Sequence, residues 1–209
     1  MILIGQYDSP FVRRVAVALQ HYGLAYEHRP WSVWADADAI AKVNPLRRVP
    51  VLVMDDGEAL VESAAILDAL DDVVGPERAL LPRSGEARRA GLRICALATG
   101  MADKAVSLLY EHVLRSGDRR SPVWVERCTA QISDALDVLE RERAARGGDH
   151  LLGAFSHADI ALGCALRFLG EAHPSLVDAS RRPALAAHSA RCEAMPVFAA
   201  VVQPLHVAV

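Results

Sequence analysis

The 209-residue chain contains no apolar run of the ~18 residues that a membrane-spanning helix needs. Its first residues, MILIGQYDS, carry no basic region ahead of a long apolar stretch, so no secretory leader is expected and the expected compartment is the cytoplasm. Cysteine is sparse: the four residues, Cys95, Cys128, Cys164 and Cys192, stand far apart, form no C-x-x-C and lie in helical-looking stretches. That excludes a disulfide framework, a zinc ribbon and a dithiol redox centre, and predicts buried free thiols. The eight histidines include no H-E-x-x-H and no Cys/His pairing at ligand spacing, so no metal is expected. Lysine occurs twice against 21 arginines, and the net charge is −3, with a pI near 6.2. No concentrated positive field is available for nucleic acid or an anionic membrane surface.

What is present is the composition of a globular protein, 52% hydrophobic and 23% charged, in a chain long enough for two small cores. Strand and helix signals alternate over residues 1–78. MILIGQ is a short apolar run, and residues 10–22 place Phe11, Val15, Ala18, Leu19 and Tyr22 at helical spacing, with Gly23 as the stop. AYEHRPW reads as a second strand and ADADAIAKVNP as a short helix or turn. VPVLVMDDGEALVES is a hairpin turning at Asp56-Gly57, and a helix follows over 64–74. The order β-α-β-α-β-β-α permits a parallel β-α-β unit with an antiparallel hairpin on the same sheet, the order of a thioredoxin-like domain.

Residues 79–85 read as a linker, and helical patterns alone follow to 209: 86–115, 122–146, a segment opening at FSHADIALGCALRFLG, then 183–194 and 196–202. Ser156 and Asp159 have capping-box spacing, with Asp in place of the usual Glu. The expected fold class is thus α/β plus all-α, a thioredoxin-like domain over 1–78 followed by a helical bundle over 86–209.

Three short stretches carry candidate chemistry. In Ser9-Pro10-Phe11, followed by Arg13 and Arg14, Ser at N-cap and Pro at N1 start a helix. A helix start also gathers unpaired N–H groups and partial positive charge, which favour an anion or a thiolate. In Asn44-Pro45-Leu46-Arg47-Arg48-Val49-Pro50-Val51-Leu52, Pro50 precedes an apolar strand. It is either a trans proline at a strand entrance or a cis proline that turns Val49 outward to pair with an extended peptide-like ligand. In Glu62-Ser63-Ala64-Ala65-Ile66, Ser63 is a plausible N-cap, and its hydroxyl beside an acid suits the two charges of an amino-acid head.

Together, S-P-F-x-R-R-V, N-P-x-x-R-V-P-V-L and E-S-x-x-I resemble the glutathione-binding domain of serine-type cytosolic glutathione transferases, those of the tau-, zeta- and theta-like branches and their bacterial relatives. The resemblance continues through Leu80-Leu81-Pro82 and the Ser156–Ile160 capping segment, and so covers nearly the whole chain. It implies a transferase that activates glutathione, its co-substrate, as thiolate for attack on a small hydrophobic electrophile or a peroxide. It also implies a homodimer. Some relatives on this fold serve instead as protein-binding or regulatory modules.

By position, the resemblance implies that Ser9 donates to the glutathione sulfur and that Val49, ahead of a cis Pro50, pairs with the cysteinyl backbone. Glu62 and Ser63 would hold the γ-glutamyl end, and Arg48 would reach the glycine carboxylate. Arg47 departs from the family, where many members have Gly. Tyr7 is the rival sulfur donor, because strand alternation would place it on the same face as Ser9. Phe11, Trp31, Trp34 and Tyr110 are candidate walls for an electrophile site between the domains, each with core or surface packing as the plainer alternative.

Overall fold

The structure is a computed structural model describing residues 1–206; the last three positions of the expected helical domain, 207–209, lie outside the described residues. The described residues divide into two units: Met1–Arg83 together with residues 195–206, and Ser84–Ala194. The stretch after Met195, expected to continue the helical bundle, thus groups with the first unit.

The first unit opens with β1 (Ile2–Ile4), α1 (Pro10–Tyr22), β2 (Glu27–Arg29) and α2 (Ala37–Ala41), and continues with β3 (Val51–Val53), β4 (Ala59–Val61) and α3 (Ser63–Val74). The sheet order is β2-β1-β3-β4, with β1 parallel to β2 and antiparallel to β3, and β3 antiparallel to β4. Both the expected β-α-β unit and the expected hairpin are therefore present. The register pairs Ile4 with Val51 and Leu3 with Leu52. Since successive side chains alternate across a sheet, Ile4 and Val51 share one face, where they pack with Ile40 of α2. Leu3 and Leu52 turn to the opposite face, and α1 and α3 pack against each other. α1 ends where expected, because Gly23 adopts φ 66, the left-handed conformation that lets its N–H reach back to the Gln20 carbonyl.

Leu80, at the start of the expected linker, is fixed to this unit by a buried polar cluster. Tyr22 donates to Asp71, and the Leu80 N–H reaches Tyr22 Oη at 3.1 Å and Asp71 Oδ1 at 3.3 Å. Burial, reinforced by the Asp71 hydrogen bond, pushes the Tyr22 phenol far above its ordinary range and keeps it a donor.

The second unit holds α4 (Gly85–Leu114), continuous through Gly100, with α5 (Pro122–Ala144), α6 (His157–Ala172) and α7 (Pro183–Ala194). α4 packs on α5 and on α6, whose Ile160, Leu162, Cys164 and Leu169 are buried. The helix start at Ser156 is organised by Asp159. This fully buried carboxylate accepts from the Leu151 N–H at 2.9 Å, the Ser156 N–H at 3.0 Å and the Ser156 hydroxyl at 2.7 Å. All four cysteines are free and buried. Among the described residues, no helix is long and apolar enough to cross a membrane, and no group of three His, Cys, Asp or Glu is placed to hold a metal. A final short helix, α8 (Pro196–Ala199), belongs to the first unit.

Candidate functional site

β1 stops at Ile4, so the strand does not carry on to residues 7 and 9 as alternation assumed. Residues 6–9 instead form a turn, in which the Ser9 N–H reaches the Gln6 carbonyl at 3.2 Å. Ser9 is the N-cap of α1, with Pro10 at N1, and its Oγ accepts from the Val12 N–H at 3.4 Å. Accepting that bond leaves the hydroxyl proton available for a second partner.

The Tyr7 hydroxyl is engaged elsewhere. It shares a 2.8 Å hydrogen bond with the Tyr26 hydroxyl, and the Tyr7 ring stacks on His28 with centroids 3.9 Å apart. Burial, with the Tyr26 bond, pushes the Tyr7 phenol well above its usual range.

Val49–Pro50 is a cis peptide bond, and β3 begins at the next residue. Among the described residues, neither the N–H nor the C=O of Val49 takes part in a backbone hydrogen bond. Its side chain packs against the Ile4–Ile40–Val51 cluster. The approach to the other elements is close: a Cβ on Gly5, whose φ is +125, would sit 2.5 Å from Val12 Cγ2 and 2.8 Å from Val49 Cβ. Gly5 is thus the point at which the first turn of α1 and the Val49 segment meet.

The loop leading to Val49 is shaped by buried Asn44, for which the sequence pattern alone signals no role. Its Nδ2 donates to the Arg48 carbonyl at 2.8 Å and its Oδ1 accepts from the Leu46 N–H at 3.0 Å. The turn between them puts Arg47 at φ 53, a conformation glycine adopts freely. The glycine that the family resemblance implies at this position would take up that conformation without strain. Arg47 itself points to Asp38, at 2.8 Å.

Ser63 is not the N-cap of α3. That position falls to Glu62, which makes no side-chain cap bond, and Ser63 is the first helical residue. Glu62 has φ 68 and ψ 119, costly for a residue with a Cβ. Its half-exposed carboxylate lies 3.7 Å from the Arg48 guanidinium. Ser63 is buried, and its Oγ accepts from Arg14 Nη1 at 3.3 Å. The contacts Gly5–Val49, Arg14–Ser63 and Arg48–Glu62 therefore connect all three stretches within the first unit.

Among the candidate walls, Trp31 packs on the Ile4–Ile40–Val51 cluster with Arg29 over its ring. Phe11 is half-buried near the start of α1, and Trp34 is 41% exposed; Tyr110, also half-buried, lies on α4 in the second unit.

The glutathione S-transferase N-terminal domain profile matches residues 3–78 and the C-terminal domain profile residues 122–191. The uncharacterized GST-like protein YibF of Escherichia coli K12 is 31% identical over 169 residues, covering 81% of this chain and 82% of that protein. The chain belongs to the glutathione S-transferase family. Solved relatives in the family agree over nearly the full length. A glutathione S-transferase from Methylobacterium radiotolerans, in complex with glutathione sulfonate, is 32% identical with a TM-score of 0.93, covering 100% of this chain and 97% of that one. A glutathione transferase family member from Pseudomonas fluorescens Pf-5 with bound glutathione is 35% identical with a TM-score of 0.87, covering 98% and 99%. The glutathione S-transferase fold, a thioredoxin-like sheet domain and a helical domain, is thus shared with these relatives.

Proposed function

We propose that this glutathione S-transferase is of the serine type, binds glutathione in the first unit, and activates its thiol as a thiolate through Ser9. The observation that carries the reading is the division of labour at the β1–α1 turn. The Ser9 hydroxyl accepts from the helix and still has its proton to give, whereas the Tyr7 hydroxyl is bound to Tyr26. The Val49 N–H and C=O form the edge against which the cysteinyl backbone pairs, as an added strand would. Glu62 takes the ammonium group and the Ser63 hydroxyl the carboxylate of the γ-glutamyl end. The buried Arg14 guanidinium behind Ser63 adds positive charge at that end. Arg48 serves the glycine carboxylate, and Phe11 and Trp34 of the first unit are candidate contacts of a small hydrophobic electrophile or peroxide.

The energetics suffice. A free thiol has a pKa near ~8.5, and each unit of lowering needs about 1.4 kcal/mol in favour of the thiolate. A charge-assisted hydrogen bond of ~1.5–3 kcal/mol and a helix-terminus contribution of ~0.3–1 kcal/mol together lower it by about one to two units. The serine accepts no proton: the thiol proton leaves to solvent, and Ser9 donates a hydrogen bond to the sulfur while the thiolate forms its bond to the electrophilic carbon and the leaving group departs with the electron pair of the bond that breaks. The four buried thiols fit a reducing cytoplasm, and the family resemblance suggests a homodimer.

The test is a pH titration of the thiolate ultraviolet absorbance of enzyme-bound glutathione. Ser9→Ala should raise the midpoint by about one unit while leaving affinity within about threefold, and Tyr7→Phe should leave the midpoint in place. The reverse pattern would make Tyr7 the donor. Tight binding with no conjugation of a generic aromatic halide would instead mark a non-catalytic binding module.

A further inference from the structure

We infer that Gln203 is a positioning residue for the sulfur-activating turn, holding Ser9 in place from the far end of the chain; this rests on the reading of Ser9 given above. The turn Gln6–Ser9 has Tyr7 and Asp8 as its central residues, and the chain after α8 grips both. The Oε1 of half-buried Gln203 accepts from the Tyr7 N–H at 3.0 Å, and the His206 N–H donates to Asp8 Oδ2 at 3.2 Å.

This returning segment is itself anchored on α1, one turn beyond Ser9. Arg13 is 2% exposed. Its Nε donates to the Val201 carbonyl at 3.0 Å and its Nη2 to the Phe198 carbonyl at 3.2 Å, and its guanidinium lies 5.4 Å from the Phe198 ring centroid. A buried, multiply bonded guanidinium is a rigid anchor, so Gln203 meets the turn from a fixed base. The opposite side of the turn is held by His28, which stacks on Tyr7 and hydrogen-bonds the Gly5 carbonyl at 2.8 Å. With Gly5 and the Tyr7 ring fixed from β2, Gln203 is the side-chain contact that sets the Tyr7 peptide plane. The orientation of that plane propagates through Asp8 to the Ser9 hydroxyl. A donor hydrogen bond to a thiolate weakens steeply with angle, so releasing the turn is read at the sulfur.

The experiment uses the full chain with Gln203→Met, which keeps side-chain length and packing but removes the amide acceptor, and Ser9→Ala alongside. Two readouts are taken: the pH midpoint of thiolate formation on bound glutathione, and the exchange rate of the Tyr7 amide by NMR. In the unsubstituted protein the Tyr7 amide should exchange at least about tenfold more slowly than an unbonded turn amide. In Gln203→Met that protection should be lost, and the bound thiolate fraction at fixed pH below the midpoint should fall about threefold to tenfold, with glutathione affinity changed by less than about threefold. An unprotected Tyr7 amide in the unsubstituted protein overturns the inference without any variant. A Gln203→Met midpoint equal to that of the unsubstituted protein, while Ser9→Ala shifts it, also overturns it and leaves the Ser9 reading intact. If Ser9→Ala itself shifts nothing, the Ser9 reading fails.

Discussion

Replacing Gly5 by Ala tests how closely the two halves of the candidate glutathione site are packed. Two costs add. The first is backbone strain: at φ +125 only glycine is at ease, and a Cβ there costs about 1–3 kcal/mol. The second is collision, because the new methyl would lie 2.5 Å from Val12 Cγ2 and 2.8 Å from Val49 Cβ. Val12 is fully buried and Val49 is partly buried against the sheet core, where overpacking costs about 1–3 kcal/mol. The sum is about 2–6 kcal/mol. In a chain of this size about 1 kcal/mol shifts the melting temperature by ~2–4 °C, so a fall of roughly 10 °C is expected. Gly23→Ala supplies the contrast. It too has positive φ, +66, but nothing lies within 4 Å of its added Cβ, so only about 1 kcal/mol is at stake. Relief of the Gly5 collision moves Val49 or the first turn of α1, so glutathione affinity measured by calorimetry should fall in Gly5→Ala and hold in Gly23→Ala. Equal melting temperatures for the two variants, with unchanged affinity, would refute the packing argument.

Glu62→Gly should raise stability by about 1 kcal/mol, because it relieves a strained φ of 68. The same change should weaken glutathione binding about tenfold to a hundredfold by removing the partner of the ammonium group; a lower melting temperature would show the strain to be absent. His188 is buried and its pKa is lowered by that burial to about 4. The unfolded chain therefore binds more protons between about pH 6.5 and 4, and stability should decline as pH falls through that window, by at most about 3 kcal/mol, and level off below it. The neighbouring Cys192 thiol, pushed by burial up to about 12, stays protonated throughout. His188→Gln should flatten the calorimetric pH profile, and an unchanged slope would assign the acid sensitivity elsewhere. Asp159→Ala strands the Leu151 and Ser156 donors and should cost about 2–4 kcal/mol in chemical denaturation; a loss under 1 kcal/mol would mean those groups find other partners.

Much of the fold is legible in sequence because its signals are local. Ser9-Pro10 and Gly23 bracket α1 within a few residues of the bonds they make, and Asp56-Gly57 closes a hairpin whose Met54 N–H meets the Glu58 carbonyl at 2.8 Å. The strand order follows from connection lengths in the same way. Positive φ at Glu62 leaves no trace in a Glu-Ser dipeptide, since the side chain does not demand it; the surrounding loop imposes it. The placement of Ser63 inside α3 rather than at its cap has the same origin. The Tyr7 side chain escaped strand alternation because β1 ends at Ile4, where Gly5 allows the chain to turn. Arg13 and Arg14 look alike in sequence, yet one holds carbonyls 185 and 188 residues away and the other a serine 49 residues away. No periodicity or spacing rule encodes such partners. Gln203, in Val201-Val202-Gln203-Pro204, carries no signal at all.

The bonds from Arg13 to the carbonyls of Phe198 and Val201 also impose an order of events during synthesis. Domains generally fold as units from the first-made end while the ribosome is still at work. Here the sheet and α1–α3 are complete by residue 83, but the strap that fastens the Gln6–Ser9 turn is translated only after the second unit. A nascent chain halted before Phe198 would hold a formed sheet with Arg13 lacking those two acceptors.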